Sequence, residues 1–259
     1  MKIGIIGCGY VGRRIAQTWK DQGHIVTVTT RDKKRIKELS DCSSGVFLIG
    51  DIAKFVQDQD IILLSVAAKK GGDYESTYLK TAKHLVSCLH PSQRIIYTGS
   101  TSVYGDAKGN WVDEDTLVRP MNDHAKILIE TEKELLKHKH CCIFRLGQII
   151  GPGRELKDRL LQIQGGEIFG SGENFVNWIH IDDIIRALDL AKEKDLTGVF
   201  NLCNDEHVTR KNAYVKVCQQ ENIPVPKWNR KKNSFFGGNK RVSNKKIKAL
   251  LEDMRNILS

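Results

Sequence analysis

Three glycines near the N-terminus constrain this chain more than any other feature. Gly7-Cys8-Gly9-Tyr10-Val11-Gly12 follows the apolar run Ile3-Gly4-Ile5-Ile6 and opens an amphipathic stretch. A Gly-x-Gly-x-x-Gly spacing between a strand and a helix is the signature of a dinucleotide-binding turn. Gly7 permits the tight turn, Gly9 lets the backbone approach a diphosphate, and Gly12 lets helix and strand pack closely. The N–H groups and dipole at the start of the helix attract the anion. The turn therefore points to NAD(P), with Gly7, Gly9, Tyr10, Val11 and Gly12 as its contacts.

The rest of the chain repeats a compatible pattern. Apolar runs rich in Ile and Val recur at residues 2–7, 24–30, 45–49, 60–66, 94–99 and 141–146. They are apolar almost continuously, as expected of parallel strands covered by helices on both faces. Amphipathic stretches at 11–22, 33–39, 74–89 and 122–137 read as the intervening helices. The expected fold is α/β, a Rossmann-type doubly wound parallel sheet with a small C-terminal substrate lobe. Residues 1–150 form the dinucleotide-binding domain, which takes back about 174–204, and 151–173 with 205–259 form the lobe. Ligands of such a sheet bind beyond the carboxyl ends of the strands.

Composition narrows the class. With 259 residues, 40% hydrophobic and 28% charged, the chain can bury a sizeable core and suits a globular protein. No apolar run approaches the roughly 20 residues that cross a bilayer. The N-terminus lacks a signal peptide's length and cleavage site, so no membrane partner and a cytoplasmic location are expected. The seven cysteines are scattered and read as small buried hydrophobes. His138, His140, Cys141 and Cys142 are neighbours on a strand whose successive side chains face opposite ways, so no metal site is expected. The net charge of +10 comes with no helix-turn-helix, zinc finger or stacked-aromatic motif. It reads as solvated faces and steering of a phosphorylated ligand rather than as a nucleic-acid stripe.

The end of the second strand bears on the choice of cofactor. An NAD enzyme carries an acid there to bond the ribose 2′-OH. Here the strand ends at Thr30, and Arg31 follows. A guanidinium grips a 2′-phosphate that a carboxylate would repel, so the reading favours NADP(H) over NAD(H). Asp32 stands one position beyond, where a shift of register would make it the ribose ligand.

Several segments, in order, resemble the extended short-chain dehydrogenases/reductases of the NAD-dependent epimerase/dehydratase family. They are Thr98-Gly99-Ser100-Thr101-Ser102-Val103-Tyr104-Gly105, Arg145-Leu146-Gly147 with Gly151-Pro152-Gly153-Arg154, Asn177-Trp178-Ile179-His180-Ile181-Asp182-Asp183, and Gly198-Val199-Phe200-Asn201. The likeness covers about the first 220 residues, and the C-terminus is shorter and more basic than is usual in that family. It implies that Asp51 and Ile52 lie near the adenine, and that Ser65, Val66 and Ala67 line the adenosine and the nicotinamide-side ribose. It further implies that Ser100 supplies the catalytic hydroxyl, that Lys126 binds the nicotinamide ribose, and that Thr101, Arg154 and Asn177 face the substrate. Asp51 as a helix N-cap and Arg154 in a surface ion pair are alternative readings of the same residues.

One departure matters. The family carries Tyr-x-x-x-Lys, followed by Glu; here Lys126 and Glu130 match, and Asn122 stands in the tyrosine's place. A tyrosine hydroxyl, pKa about 10, can relay a proton beside an ammonium, whereas an amide cannot act as an acid. The implied catalytic set is Ser100, Asn122 and Lys126, with His124, Tyr104 and an ordered water as candidate substitutes for the missing acid. Two readings follow. One is an atypical NAD(P)-dependent oxidoreductase, epimerase, dehydratase or reductase acting on a sugar-nucleotide or similar small polar substrate. The other is a non-catalytic dinucleotide sensor, like the NmrA-like proteins. A homodimer is compatible with helices of this kind, though no residue pattern fixes one.

Overall fold

The computed structural model describes residues 1–69, 71–231, 238–251 and 255. The first part of the chain runs β1 (Lys2–Ile6), α1 (Tyr10–Asp21), β2 (Ile25–Thr30), α2 (Ile36–Asp41), β3 (Gly45–Leu48), α3 (Ile52–Val56), β4 (Ile61–Leu64), α4 (Thr81–Cys88) and β5 (Arg94–Ser100). It continues with β6 (Trp111–Val112), α5 (Asp123–Leu135), β7 (Cys141–Leu146), β8 (Gln148–Ile150), α6 (Leu156–Ile163), β9 (Glu167–Phe169) and β10 (Trp178–His180). Last come α7 (Ile181–Lys194), β11 (Gly198–Leu202), α8 (Arg210–Gln220), β12 (Lys227–Asn229), β13 (Arg241–Val242) and α9 (Lys245–Lys248). Among the described residues no helix is long and apolar enough to cross a membrane.

Two compact units emerge. The first comprises Met1–Ser100, Asn122–Arg145 and Ile184–Phe200. It is built on a seven-stranded sheet in the order β11-β7-β5-β4-β1-β2-β3, with parallel pairing from β3 through β2, β1 and β4 to β5. The chain builds outward from β1 in one direction, then returns to lay β4 on its other side. That reversal makes the gap between β1 and β4 the switch point of a doubly wound sheet, where ligands bind.

Residue alternation explains how the sheet is covered. Ile6, Ile62, Leu64, Ile95 and Tyr97 share a core with Phe55 and Val56 of α3, Leu85 of α4 and Leu135 of α5. In α1, Val11, Ile15 and Trp19 recur at helical spacing and are buried. The Trp19 indole donates to the Asp189 carboxylate of α7 at 3.0 Å, which sets α7 beside α1.

The second unit comprises Thr101–Met121, Leu146–Asp183 and Asn201–Ser259. Three short parallel pairs, β8 with β10, β9 with β12 and β6 with β13, accompany a core of Leu156, Leu160, Ile168, Trp178, Tyr214 and Cys218. The division differs from the sequence reading at residues 101–121, 146–150, 174–183 and 201–204, which that reading assigns to the first domain. At 101–121 the cause is long-range pairing: Trp111–Val112 joins Arg241–Val242, and the Lys240 ammonium, buried, donates to the Gly105 carbonyl at 3.0 Å.

A buried ion pair lies beneath the end of β5. Arg145 of β7 and Glu132 of α5 are 6% and 3% exposed and meet at 2.7 Å. A Cβ on Gly99 would come within 3.3 Å of a Glu132 carboxylate oxygen, so the pair touches the strand that carries Ser100. Burial pushes the Glu132 carboxyl above its ordinary value while the Arg145 guanidinium pulls it back. Removing one partner strands a buried charge. Arg145→Met should therefore cost about 3–5 kcal/mol in urea denaturation, and the double variant Arg145→Met/Glu132→Leu should lose less than the single one. Equal or greater loss in the double variant would show that the pair's charge balance is not what holds this region.

Candidate functional site

The glycine turn closes on itself through backbone contacts that admit no side chain. Gly7 has φ +98°, and a Cβ there would lie 2.4 Å from the Ser65 carbonyl oxygen at the end of β4. A Cβ on Gly12 would lie 2.5 Å from the Gly7 carbonyl oxygen, which fixes the close approach of α1 to the turn. Gly9 differs, because a Cβ there would meet nothing within 4 Å. Two of the three glycines are thus required by the protein's own packing. The third opens onto space in front of a helix start.

That helix start suits an anion. Gly9 is the N-cap of α1 and supplies no side-chain cap, and the first turn contains no acid. The leading N–H groups of a helix have no intrahelical acceptor, and its dipole places positive charge at that end. Tyr10 is half-buried, and Val11 and Gly12 are buried. Across the switch point, the Thr98 hydroxyl donates to the Ser65 hydroxyl at 3.0 Å, and the Ser65 N–H donates to the Ile6 carbonyl at 2.8 Å. Val66 and Ala67 continue from Ser65 with rising exposure. The open space at Gly9, the unacidic helix start and the flanking strand ends fit a dinucleotide diphosphate.

At the end of β2 the side chains are committed in a way the sequence does not display. Thr30 is buried, and its hydroxyl accepts the Asp32 N–H at 3.1 Å. The Asp32 carboxylate caps the next turn by accepting from the Lys34 N–H at 2.9 Å. Arg31 is exposed. Arg35, which sequence reasoning left aside, reaches back to the glycine turn and donates to the Cys8 carbonyl at 3.0 Å. Asp51 is the N-cap of α3, accepting from the Lys54 N–H at 3.1 Å, and Ile52 is buried behind it.

The residues expected to do chemistry divide between the units. In the first, Ser100 is the last residue of β5 and half-buried. Asn122 is the N-cap of α5, its side-chain oxygen accepting from the Ala125 N–H at 2.9 Å. Its backbone is extended, so the helix starts one residue after the place where the family pattern has its tyrosine. Lys126 is exposed and pairs with Asp123 at 3.1 Å. The His124 ring stacks on Tyr74, centroids 4.1 Å apart and planes 14° apart.

In the second unit, Thr101 is buried and Arg154 is exposed. The Asn177 amide is engaged at both ends, donating to the Lys240 carbonyl at 3.0 Å and accepting from the Val242 N–H at 2.8 Å. That places it as a brace for β13. Tyr104 is buried, and its hydroxyl donates to Asn201 at 2.8 Å, a packing role rather than that of a proton donor.

Comparison with known proteins places this architecture. The model of the NAD dependent epimerase/dehydratase family matches residues 3–203. The chain belongs to that family. Protein YeeZ of Escherichia coli (strain K12) is 29% identical over 255 residues, covering 93% of this chain and 90% of that protein. Among solved structures, UDP-glucuronic acid 4-epimerase from Bacillus cereus, bound to UDP-glucuronic acid and NAD, superposes with a TM-score of 0.83 at 21% identity, covering 100% of this chain and 96% of that one. A functionally unknown conserved protein from Silicibacter pomeroyi DSS gives a TM-score of 0.81 at 23% identity, covering 100% and 94%.

The glycines of this family member can be separated by their roles. Gly12→Ala should lower stability by about 1–3 kcal/mol, because its Cβ is forced against a backbone carbonyl. Gly9→Ala should stay within about 1 kcal/mol of the parent. Thermal denaturation checks both, and an equal loss at the two positions would contradict the open space at Gly9.

Proposed function

We propose that this protein holds NADP(H) in the β1–α1 turn and uses it in epimerase, dehydratase or reductase chemistry on a small polar substrate, a sugar-nucleotide in our reading. The observation that carries the proposal is the open face of Gly9 between two glycines that packing itself requires. Gly7, Gly9, Tyr10, Val11 and Gly12 would hold the diphosphate. Asp51 and Ile52 would border the adenine, and Ser65, Val66 and Ala67 the ribose and nicotinamide side. Thr30 and the exposed Arg31 at the end of β2 support NADP(H) over NAD(H), since Asp32 spends its carboxylate on the following turn. The sugar-nucleotide is supported by the epimerase from Bacillus cereus, which was solved with UDP-glucuronic acid.

The bound nicotinamide would supply or accept a hydride. What the chain contributes is positioning and proton handling. Ser100, at the carboxyl end of β5, would donate a hydrogen bond to a substrate oxygen. Lys126 would turn from Asp123, an exposed pairing of small energetic weight, to bind ribose hydroxyls. Thr101 and Arg154 would face the substrate. Asn122 would keep an N–H pair available for hydrogen bonding while its oxygen caps α5, but it transfers no proton. General acid–base catalysis is worth about 10²–10⁴ in rate, so turnover should be slow by the standard of a family member with the tyrosine.

Asn122, committed to capping α5, also favours a second reading, a dinucleotide sensor without turnover. The two separate cleanly. On the enzyme reading, the purified protein oxidises or reduces NADP(H) with a member of a sugar-nucleotide panel, and Ser100→Ala lowers that rate at least about tenfold. Binding of NADP(H) with no turnover across the panel would overturn catalysis and support the sensor. Tighter binding of NADH than of NADPH would overturn the cofactor preference.

A further inference from the structure

Beside the glycine turn lies a charge cluster that no motif announces. Arg13 stands in the first turn of α1, directly after Gly12. Its guanidinium meets the Glu38 carboxylate at 2.8 Å. Arg35 meets the same carboxylate, Nε to Oε2 at 3.3 Å and Nη2 to Oε1 at 3.4 Å. The same Nη2 also donates to the Cys8 carbonyl at 3.0 Å, so this guanidinium is hooked to the turn itself. Glu38 is therefore a single carboxylate held between two cations at the edge of the dinucleotide turn, and its proton affinity is lowered chiefly by the hydrogen bond from Arg35.

The cluster is exposed enough to exchange partners. The side chains of Arg13, Arg35 and Glu38 are 49%, 36% and 40% accessible. Ion pairs at such sites contribute only about 0–1 kcal/mol. A phosphate monoester brings close to two negative charges and three acceptor oxygens, and guanidinium groups bind it in bidentate fashion. In doubly wound folds the adenosine ribose lies at the end of the second strand, close to the glycine turn. Here Asp32, the acid nearest that strand end, is occupied in capping the Lys34 N–H.

We propose that Arg13 and Arg35 form the seat of the cofactor's 2′-phosphate, and that Glu38 fills this seat in the free protein as an internal stand-in that the phosphate displaces. The inference rests on the NADP(H) reading above and names the residues that would enforce it. NADH carries no anion at that position and leaves the Glu38 pairing undisturbed. NADPH exchanges one carboxylate for a more highly charged group on two guanidiniums, one of them already oriented by its bond to Cys8. Selectivity then arises from side chains on α1 and at the start of α2 as well as from Arg31.

The test is direct binding of NADPH and of NADH to the purified full chain by titration calorimetry. Arg13→Met and Arg35→Met should each weaken NADPH about tenfold and leave NADH within about twofold. The Arg13 guanidinium meets the Glu38 carboxylate, and it is Arg35 that holds the Cys8 carbonyl, so the Arg13 variant guards against a loss of turn structure in the Arg35 variant. Glu38→Gln should tighten NADPH several-fold and leave NADH unchanged. Equal weakening of both nucleotides in the arginine variants, or weaker NADPH binding by Glu38→Gln, would overturn the proposal. If the parent protein shows no preference for NADPH, the cofactor reading fails and this inference with it. If the preference exists, survives in all three variants and disappears in Arg31→Met, the reading stands and the seat proposed here is wrong.

Discussion

The contact on which the rest of this structure depends is the approach of α1 to the end of β1. Gly12 brings the helix so close to the Gly7 carbonyl that no Cβ fits between them, and Gly7 in turn lies against the Ser65 carbonyl at the end of β4. These two contacts tie three elements together at the switch point of the sheet. They also aim the start of α1 across the gap between β1 and β4, where the strand order reverses. The space in front of Gly9 is a consequence of that arrangement. Packing requires the first and third glycines, and only the second is left for a ligand.

The same elements explain where this protein departs from its family. Asn122 begins α5 by capping it, with its side-chain oxygen on the Ala125 N–H. A residue with extended backbone at a helix start presents its side chain differently from one inside the first turn, so the substitution changes geometry as well as acidity. Tyr104 is committed to Asn201, and His124 is stacked on Tyr74, so neither is poised by its contacts to replace the tyrosine. The glycine turn keeps the spacing of a dinucleotide-binding turn, and an amide stands where the family pattern has its tyrosine.

Much of the fold was legible in the sequence for a physical reason. Strands buried on both faces are apolar throughout, and 2–7, 24–30, 45–49, 60–66, 94–99 and 141–146 each contain or closely bracket an observed strand. The glycine turn was equally plain, because Gly7 and Gly12 answer local packing requirements and their spacing brackets Gly9. What escaped reading depends on contacts between distant positions. Residues 101–121 carry no sign that Trp111 will pair with Arg241. Nothing around Asn177 announces that Lys240 and Val242 will use both ends of its amide. Arg35 and Glu38 lie three residues apart around the start of α2, and only the packing of α1 beside α2 brings Arg13 to them at one edge of the turn. Arg31 attracted attention by position alone.

The proposed function turns on a dinucleotide lying across the start of α1. A crystal structure of the protein grown with NADPH measures this most directly. The account predicts the diphosphate against the backbone of Gly9 and the first turn of α1, in the gap between β1 and β4. A nucleotide bound elsewhere on the chain, or a fully ordered glycine turn with no nucleotide at millimolar NADPH, would contradict it.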